Sequence, residues 1–457
     1  MHIEDKFKLD QPPELIYNRK KEDYIKIALN PGTISNINKN GDLVFEVDNQ
    51  QSFLYLSKSF IYAEVALFQD DKFATPLPET DNITLEHNFF PRLFNSMRLE
   101  IGSQTIEHIT DPGIYDTMIK FITISETKVK NQSQGWIPDN GSGNYVYVLN
   151  VLAAAAKPTE DDYNKIVKRL NLDTKNSGYT KRKEIYNKKG AKHSIKWSLF
   201  PLFGYTEYDK ISYQLKLKLI LHRTTDSNNE SIFYGENGKK AYLKINKLEF
   251  HIPHITPSLE LESIIMKRLQ TNKPIPVTFL KRIASSYTFT GVETMWHFTR
   301  TSNTPRFILL AIQEENPSFE RNNSRFILNY KYKDGTTDKE GEIRSIQVML
   351  NQERYPIDPI RFDRTNNIFY DGYTAYENMC EVFGTEPQLN LIDWRDNYAI
   401  FCFDLSAQPE DLVKNGCDIT IKIEKSESTK SLKAYAVALC DTKHFIELSN
   451  GRMVRIN

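Results

Sequence analysis

The sequence predicts an all-β protein built from two consecutive β-sandwiches, with a few inserted helices. Three observations lead there. Short runs of alternating apolar and polar residues follow one another closely, with Gly, Asn and Pro between them, as sandwich strands and turns do. The chain has 457 residues, more than one ordinary core accommodates. The best-marked break in the pattern, around residues 253–274, leaves a full set of strands on either side.

Residues 1–42 read as a polar arm in which Pro12, Pro13, Pro31 and Gly32 interrupt any long element. A first sandwich is expected over 43–255. Its strands are read at Leu43–Val47, Ser52–Leu56, Phe60–Phe68, Ile83–Phe90, Leu93–Ile101 and Gln104–Ile109. The clearest is Ile211–Leu221, where Ile211, Tyr213, Leu215, Leu217, Leu219 and Leu221 take every second position, giving one face to a core. Tyr242–Ile252 closes the set, with a register change near Lys247 that indicates a bulge. Asp111–Pro112 starts a helix with Ile114, Met118, Phe121 and Ile122 on one face. A second helix begins at Thr159, with Tyr163, Ile166, Val167 and Leu170 at helical spacing. Loop-like stretches flank it, so residues 128–192 read as a long insertion at one end of the sandwich.

Residues 256–273 form a helical linker, with Glu260 and Glu262 in its first turn and Lys267 and Arg268 in its last. Ile264, Ile265 and Leu269 are expected to pack between the sandwiches. A second sandwich is expected over 274–457, with strands at Val277–Arg282, Tyr287–Thr290, Met295–Thr299, Phe307–Gln313, Phe326–Tyr332, Ile343–Leu350, Ala399–Leu405, Asp418–Glu424, Leu432–Cys440 and Phe445–Leu448. Thr374 and Glu377 form a capping box for a helix whose Tyr376, Met379, Cys380 and Phe383 share a face and which Gly384 ends. About eight strands in each half is the arrangement of jelly rolls.

Lys plus Arg and Asp plus Glu both number 59. This balance argues against a protein whose task is gripping DNA, which needs surplus cations, and suits one that packs against copies of itself. Tyr and Phe dominate an aromatic share of 12%, apt for pleated surfaces and interfaces. Cys380, Cys402, Cys417 and Cys440 match no zinc spacing and read as free buried thiols in a protein made inside a cell. Met1–Asp10 is polar and charged, so no signal peptide is expected, and the most apolar run, Val146–Ala156, is too short to span a membrane.

No catalytic, cofactor or metal constellation emerges. His87, His251 and His254 read as structural histidines, and Gly141-Ser142-Gly143 and Gly235–Gly238 as turns without a strand-to-helix phosphate cradle. Lys181, Arg182, Lys183, Lys188, Lys189 and Lys192 form one basic cluster, read as a solvated loop, with contact to nucleic acid or an acidic partner as the alternative. Asp393-Trp394-Arg395-Asp396 is a weak candidate for a sugar site.

Ordered segments from about residue 43 onward carry a resemblance. Asn88-Phe89-Phe90-Pro91-Arg92-Leu93-Phe94 precedes Met97–Gly102. Thr304-Pro305-Arg306-Phe307-Ile308 opens a strand, and Leu350-Asn351-Gln352-Glu353-Arg354-Tyr355-Pro356 ends another. Tyr370, Tyr373 and Tyr376 mark a Tyr-rich helix, and Phe401–Leu405 is a hydrophobic strand with Asp404 near its end. In this order they resemble the double jelly-roll major capsid proteins of Polinton (Maverick) elements and related adenovirus-like or insect virus-like sequences. The resemblance implies a structural, non-enzymatic capsid protein without cofactors. Three chains would form a pseudo-hexameric trimer that tiles an icosahedral shell around double-stranded DNA. It further implies a separate single jelly-roll penton protein as partner, at most weak non-specific DNA contact, and residence in the virion. Synthesis would be in the host cytoplasm and assembly in nucleus or cytoplasm. The long loops, residues 128–192 among them, would form an outward crown. The alternative is a two-domain β-sandwich protein that binds carbohydrate or a receptor.

Overall fold

The computed structural model describes residues 19–48, 53–102, 104–124, 135–139, 177–213, 215–223, 231–234, 240–271, 273–314, 326, 332–333, 336–337, 343–363, 368–407, 416–426, 431–447 and 452–455. In the first half the strands are β1 (Arg19–Ala28), β2 (Gly41–Asp48), β3 (Phe53–Leu54), β4 (Phe60–Phe68), β5 (Ile83–Leu85), β6 (Phe94–Ile101), β7 (Gln104–Thr110), β8 (His193–Ser198), β9 (Ser212–Tyr213), β10 (Lys216–Arg223), β11 (Ile232–Tyr234) and β12 (Tyr242–Pro257). Helices α1 (Phe89–Arg92), α2 (Pro112–Thr123) and α3 (Ser177–Tyr186) interrupt them. One sheet runs β8-β4-β12-β3-β9, with β1 also paired to β12; the other runs β2-β10-β6-β7.

Helix α4 (Leu259–Gln270) leads into the second half: β13 (Ile275–Phe289), β14 (Glu293–Thr301), β15 (Pro305–Glu314), β16 (Tyr332–Lys333), β17 (Thr336–Thr337), β18 (Ile343–Leu350), β19 (Glu353–Arg361), β20 (Phe401–Asp404), β21 (Cys417–Lys425), β22 (Leu432–Glu447) and β23 (Arg452–Arg455). Helices α5 (Tyr370–Val382) and α6 (Leu391–Asn397) lie between β19 and β20. The sheets here are β13-β22-β15-β20, with β23 also paired to β22, and β14-β21-β18-β19.

Set side by side, the halves are one topology used twice. The order β1-β12-β4-β8 repeats as β13-β22-β15-β20, and β2-β10-β6-β7 as β14-β21-β18-β19. Each half is a jelly roll of eight principal strands in two sheets, closed by pairing its first strand with its last. The helical insertions also fall at the same place, between β7 and β8 and between β19 and β20. Alternation places the core: Cys417, Ile419, Ile421 and Ile423 of β21 are all buried, as are Leu217, Leu219 and Leu221 of β10. One continuous cluster of buried apolar side chains runs through both rolls.

Several expectations need correction. The stretch read as an irregular arm contains β1, the opening strand of the first roll; only Ile25 and Ile27 lean on the core, so its charges hid the period of two. The long strand expected over 211–221 is two strands, β9 and β10, in different sheets. Conversely, the paired short strands expected around residue 284 and around residue 442 are the single long strands β13 and β22. The bulge near Lys247 is present, with the β12–β4 register shifting between Ile245 and Lys247. Helix α5 begins at Tyr370, ahead of the expected Thr374 cap. The helix expected from Thr159 lies outside the described residues. Helix α4 is capped by Ser258 and has the dipole-matched charges expected of it, but buries no residue. Ile264 is 59% exposed and does not pack between the rolls of one chain, while Ile265 and Leu269 are half-buried. The rolls touch directly and leave the helix outside.

All four cysteines are free and buried. Burial pushes the Cys380 and Cys417 thiols up to about 11 and Cys440 to about 12, which removes the reactive thiolate. Titration with an aromatic disulfide at pH 8 is therefore expected to label essentially no thiol in the native protein and four after unfolding in guanidinium without reductant. Fast native labelling, or fewer than four thiols after unfolding, would contradict this placement.

Candidate functional site

The structure places its chemistry at the seam between the rolls. Helix α2 ends there, and an α-helix leaves its last carbonyls without partners of its own. The second roll supplies the donors. Tyr376 Oη–H donates to Phe121 O (3.2 Å), Thr385 Oγ1 to Ile122 O (2.7 Å) and Gln388 Nε2 to Lys120 O (3.2 Å) as well as to Ile124 O. The same Tyr376 oxygen accepts from Gln388 N at 3.2 Å. Trp136 Nε1 donates to Gln388 Oε1 (3.1 Å), and Asp139 N to Tyr398 Oη (2.9 Å).

A second contact joins the sheets. Glu107 of β7 is buried and accepts from the backbone N–H groups of Arg282 (2.9 Å) and Tyr205 (3.1 Å). The Arg282 guanidinium pairs with Glu207 and donates to Pro201 O at 3.0 Å. Burial pushes the Glu107 carboxyl up, although Arg282 and the backbone donors pull it down. For Arg282 burial opposes the charge, but Glu207 and Glu107 hold it above its ordinary value. Gly204 passes so close to β13 that a side chain there would overlap the Leu280 carbonyl oxygen.

The motif residues are mostly ties within this frame. Asn88 takes a left-handed backbone (φ 52°) at the start of α1. Its side chain donates to Asp116 Oδ2 (2.9 Å) and Thr117 Oγ1 (3.1 Å) and accepts from Lys120 Nζ (3.3 Å). Asp116 and Lys120 form a fully buried ion pair at 2.7 Å, and Trp197 Nε1 donates to Asp116 at 3.0 Å. Phe89, Phe90, Leu93 and Phe94 are buried around it, Phe90 against Trp197. Pro305 opens β15, and Arg306 pairs with Asp441 at 2.5 Å. Leu350 is buried, and Asn351 (φ 47°) clamps the next turn by exchanging bonds with Asp418, its Oδ1 accepting from Asp418 N at 2.8 Å. Tyr355 is half-buried and Pro356 exposed on β19; Asp404 is exposed and caps Ser406 N at 2.8 Å. Tyr376 alone of the set sits on the seam.

Other sites move from their expected place. The stretch read as a loop around Arg182 is helix α3, and Arg182 is buried. It donates to Leu85 O (2.9 Å) and Ile137 O (2.6 Å) and pairs with Asp139 at 2.6 Å. A guanidinium fork satisfied by three acceptors can be interior, so Arg182 is not part of a solvated basic patch; Lys181, Lys188, Lys189 and Lys192 are exposed. Trp394 is buried, with Nε1 donating to Ile400 O at 3.1 Å, and offers no face to a sugar. His251 is a strand residue that meets Glu249 at 3.0 Å. Among the described residues no group of His, Cys, Asp and Glu is arranged to hold a metal. Sequence reasoning missed Glu107, Glu207, Arg282, Gln388 and Tyr398, because a buried polar residue is written with the same letters as a solvated one.

Residues 159–444 match the family model described as the double jelly roll-like domain. The chain belongs to that family. Among solved structures, this double jelly roll is similar to three viral proteins over almost its whole length. The cryo-EM structure of the Sputnik virophage shows 11% identity, covering 100% of this chain and 93% of that one, with a TM-score of 0.58. The Faustovirus major capsid protein shows 10% identity, 99% and 94% coverage and a TM-score of 0.53. The mavirus major capsid protein shows 10% identity, 100% and 93% coverage and a TM-score of 0.52. Compared by sequence with curated proteins, the chain has no match.

Two predictions follow from the seam's chemistry. Arg282→Ala leaves Glu107 its backbone donors but removes the cation beside that buried carboxylate and the partner of Glu207, and is expected to cost about 3 kcal/mol in urea unfolding; a loss under about 1 kcal/mol would mean that water reaches the site. His87 is buried against Trp136, Phe121 and Tyr398 with neither ring nitrogen hydrogen-bonded. Burial, then Arg182, hold it well below its ordinary value of 6.5. The fold therefore carries no penalty above pH 6.5; below it the unfolded chain gains a proton the fold refuses, and stability falls by up to about 1.4 kcal/mol per pH unit. His87→Phe is expected to flatten melting temperature between pH 7 and 5, and an unchanged slope would refute this assignment.

Proposed function

We propose that the chain is a major capsid protein, a structural and non-enzymatic brick of a virion shell. The observation that carries this reading is the repeated jelly roll locked into one unit by a polar seam. A rigid pair of like rolls gives a subunit with two nearly equivalent outward edges, and three such subunits make a six-rolled, pseudo-hexagonal trimer able to tile an icosahedral shell around double-stranded DNA. The similar structures support the reading, since two of those proteins are major capsid proteins. In this proposal the parts are the arm (1–42), the first roll (43–255), the helical linker (256–273) and the second roll (274–457). Each of the motif positions outside the seam fixes a turn or a core contact. A separate single jelly-roll protein would fill the fivefold vertices, where a six-rolled block does not fit. Contact with DNA would be weak and non-specific, given the balanced charge and the inward Arg182.

A carbohydrate- or receptor-binding protein is the competing reading, and the burial of Trp394 counts against it. Light scattering of the purified chain at neutral pH is expected to give the mass of three chains, and negative-stain images a roughly hexagonal outline. A monodisperse monomer at all concentrations would refute the proposal.

A further inference from the structure

Two buried ion pairs in the first roll differ in kind. In the pair of Arg182 with Asp139 the guanidinium keeps its proton and is no nucleophile. In the pair of Lys120 with Asp116, both on α2, the cation is a lysine, and a lysine that gives up its proton is an amine. This amine lies against the primary amide of Asn88.

The contacts close a ring through the amide. Lys120 Nζ is 2.7 Å from Asp116 Oδ2 and donates to Asn88 Oδ1 at 3.3 Å, while Asn88 Nδ2 donates to the same Asp116 oxygen at 2.9 Å. Nζ therefore needs to shift only from Oδ1 to Cγ, the atom bonded to it. The amide is held for this approach: its other Nδ2 hydrogen goes to Thr117 Oγ1 at 3.1 Å, and its backbone is fixed in the left-handed region. Asp116 Oδ2 also accepts from Trp197 Nε1, but Asp116 Oδ1 has no hydrogen-bond partner and is open to a proton.

The surroundings favour uncharged forms. Asn88, Asp116 and Lys120 are all fully buried, and Nζ lies 5.7 Å from the centre of the Trp136 ring and 5.5 Å from that of Trp197. Burial holds the Lys120 ammonium below its ordinary value, although Asp116 pulls it up. Passing one proton from Lys120 to Asp116 replaces two buried charges by none. The same shell keeps out water that would hydrolyse an activated amide.

We propose that Lys120 and Asn88 join in the folded chain through an isopeptide bond between Nζ and Cγ, with Asp116 carrying the protons. The ammonium first gives a proton to Asp116. The amine lone pair then forms the Nζ–Cγ bond, and the carbonyl pair moves onto Oδ1. Asp116 gives its proton to Nδ2 and takes one from Nζ. The carbonyl re-forms, the Cγ–Nδ2 bond breaks and ammonia leaves. Of the hydrogens on the ammonium and the amide, one remains on the new amide, three depart on ammonia and one stays on Asp116. The step needs no oxidant and no co-reactant. Fixed contact supplies what amines and amides lack in solution, where they react very slowly. The bond ties the start of α1 to the last turn of α2, where the Lys120 carbonyl receives Gln388 of the second roll. It does not depend on the capsid reading.

Mass spectrometry of the full purified chain tests the proposal. The intact mass is expected to lie below that of the sequence by one ammonia, about 17 Da. Trypsin is expected not to cut after Lys120, leaving a branched peptide in which residues 73–92 are joined to residues 99–128. Asp116→Asn and Asp116→Ala, each checked for native far-UV circular dichroism, are expected to show the full mass and ordinary cleavage after Lys120. An unmodified chain of full sequence mass that is cut after Lys120 overturns the bond and leaves a structural ion pair, whether or not the variants fold. A mass deficit without the branched peptide overturns it equally. A branched peptide that persists in the Asp116 variants overturns the role given to Asp116.

Discussion

The arrangement depends on one unfinished helix. The last carbonyls of α2 cannot be satisfied by α2 itself, and a buried carbonyl without a donor costs free energy comparable to a lost hydrogen bond. Three side chains of the second roll, Tyr376, Thr385 and Gln388, reach those oxygens. The end of α2 is therefore chemically incomplete without the second roll. The donors sit on and just after α5, the insertion that occupies in the second roll the place α2 occupies in the first. Equivalent insertions have become two halves of one joint.

This explains why polar groups collect where two apolar sandwiches meet. Hydrophobic faces would hold the rolls together but would let them slide, since burial is non-directional. Hydrogen bonds to fixed carbonyls, and the backbone N–H of Arg282 held by Glu107, define a single relative position. A subunit that must present two edges at a set angle needs that definition more than it needs additional stability.

The sequence made the strands legible where one face is apolar throughout, as in β10 and β21, and made the double sandwich legible through their number. It hid β1, whose charged side chains face outward on an edge, and it hid the joint altogether. Gln388 and Arg282 look like surface residues to any reading by residue type, and only tertiary proximity gives them acceptors. Arg182 misled for the same reason, because five neighbouring lysines gave it the appearance of a solvated charge. The linker helix was legible as a helix but not in its placement. Ile264, Ile265 and Leu269 suggested burial, while the rolls met through β7 and β13 and left α4 outside.

Each roll closes by pairing its first principal strand with its last principal strand, β1 with β12 and β13 with β22. For a chain emerging from the ribosome this sets an order of events. The first roll cannot close until residues 242–257 are out, and the second waits for residues 432–447. Until then open sheet edges are exposed to other nascent chains, the condition under which β-rich proteins misassemble. Because synthesis proceeds from the amino terminus, the first roll can close around its own core before the second roll's partner strands exist, which lowers the chance of exchanging strands between two halves of identical topology.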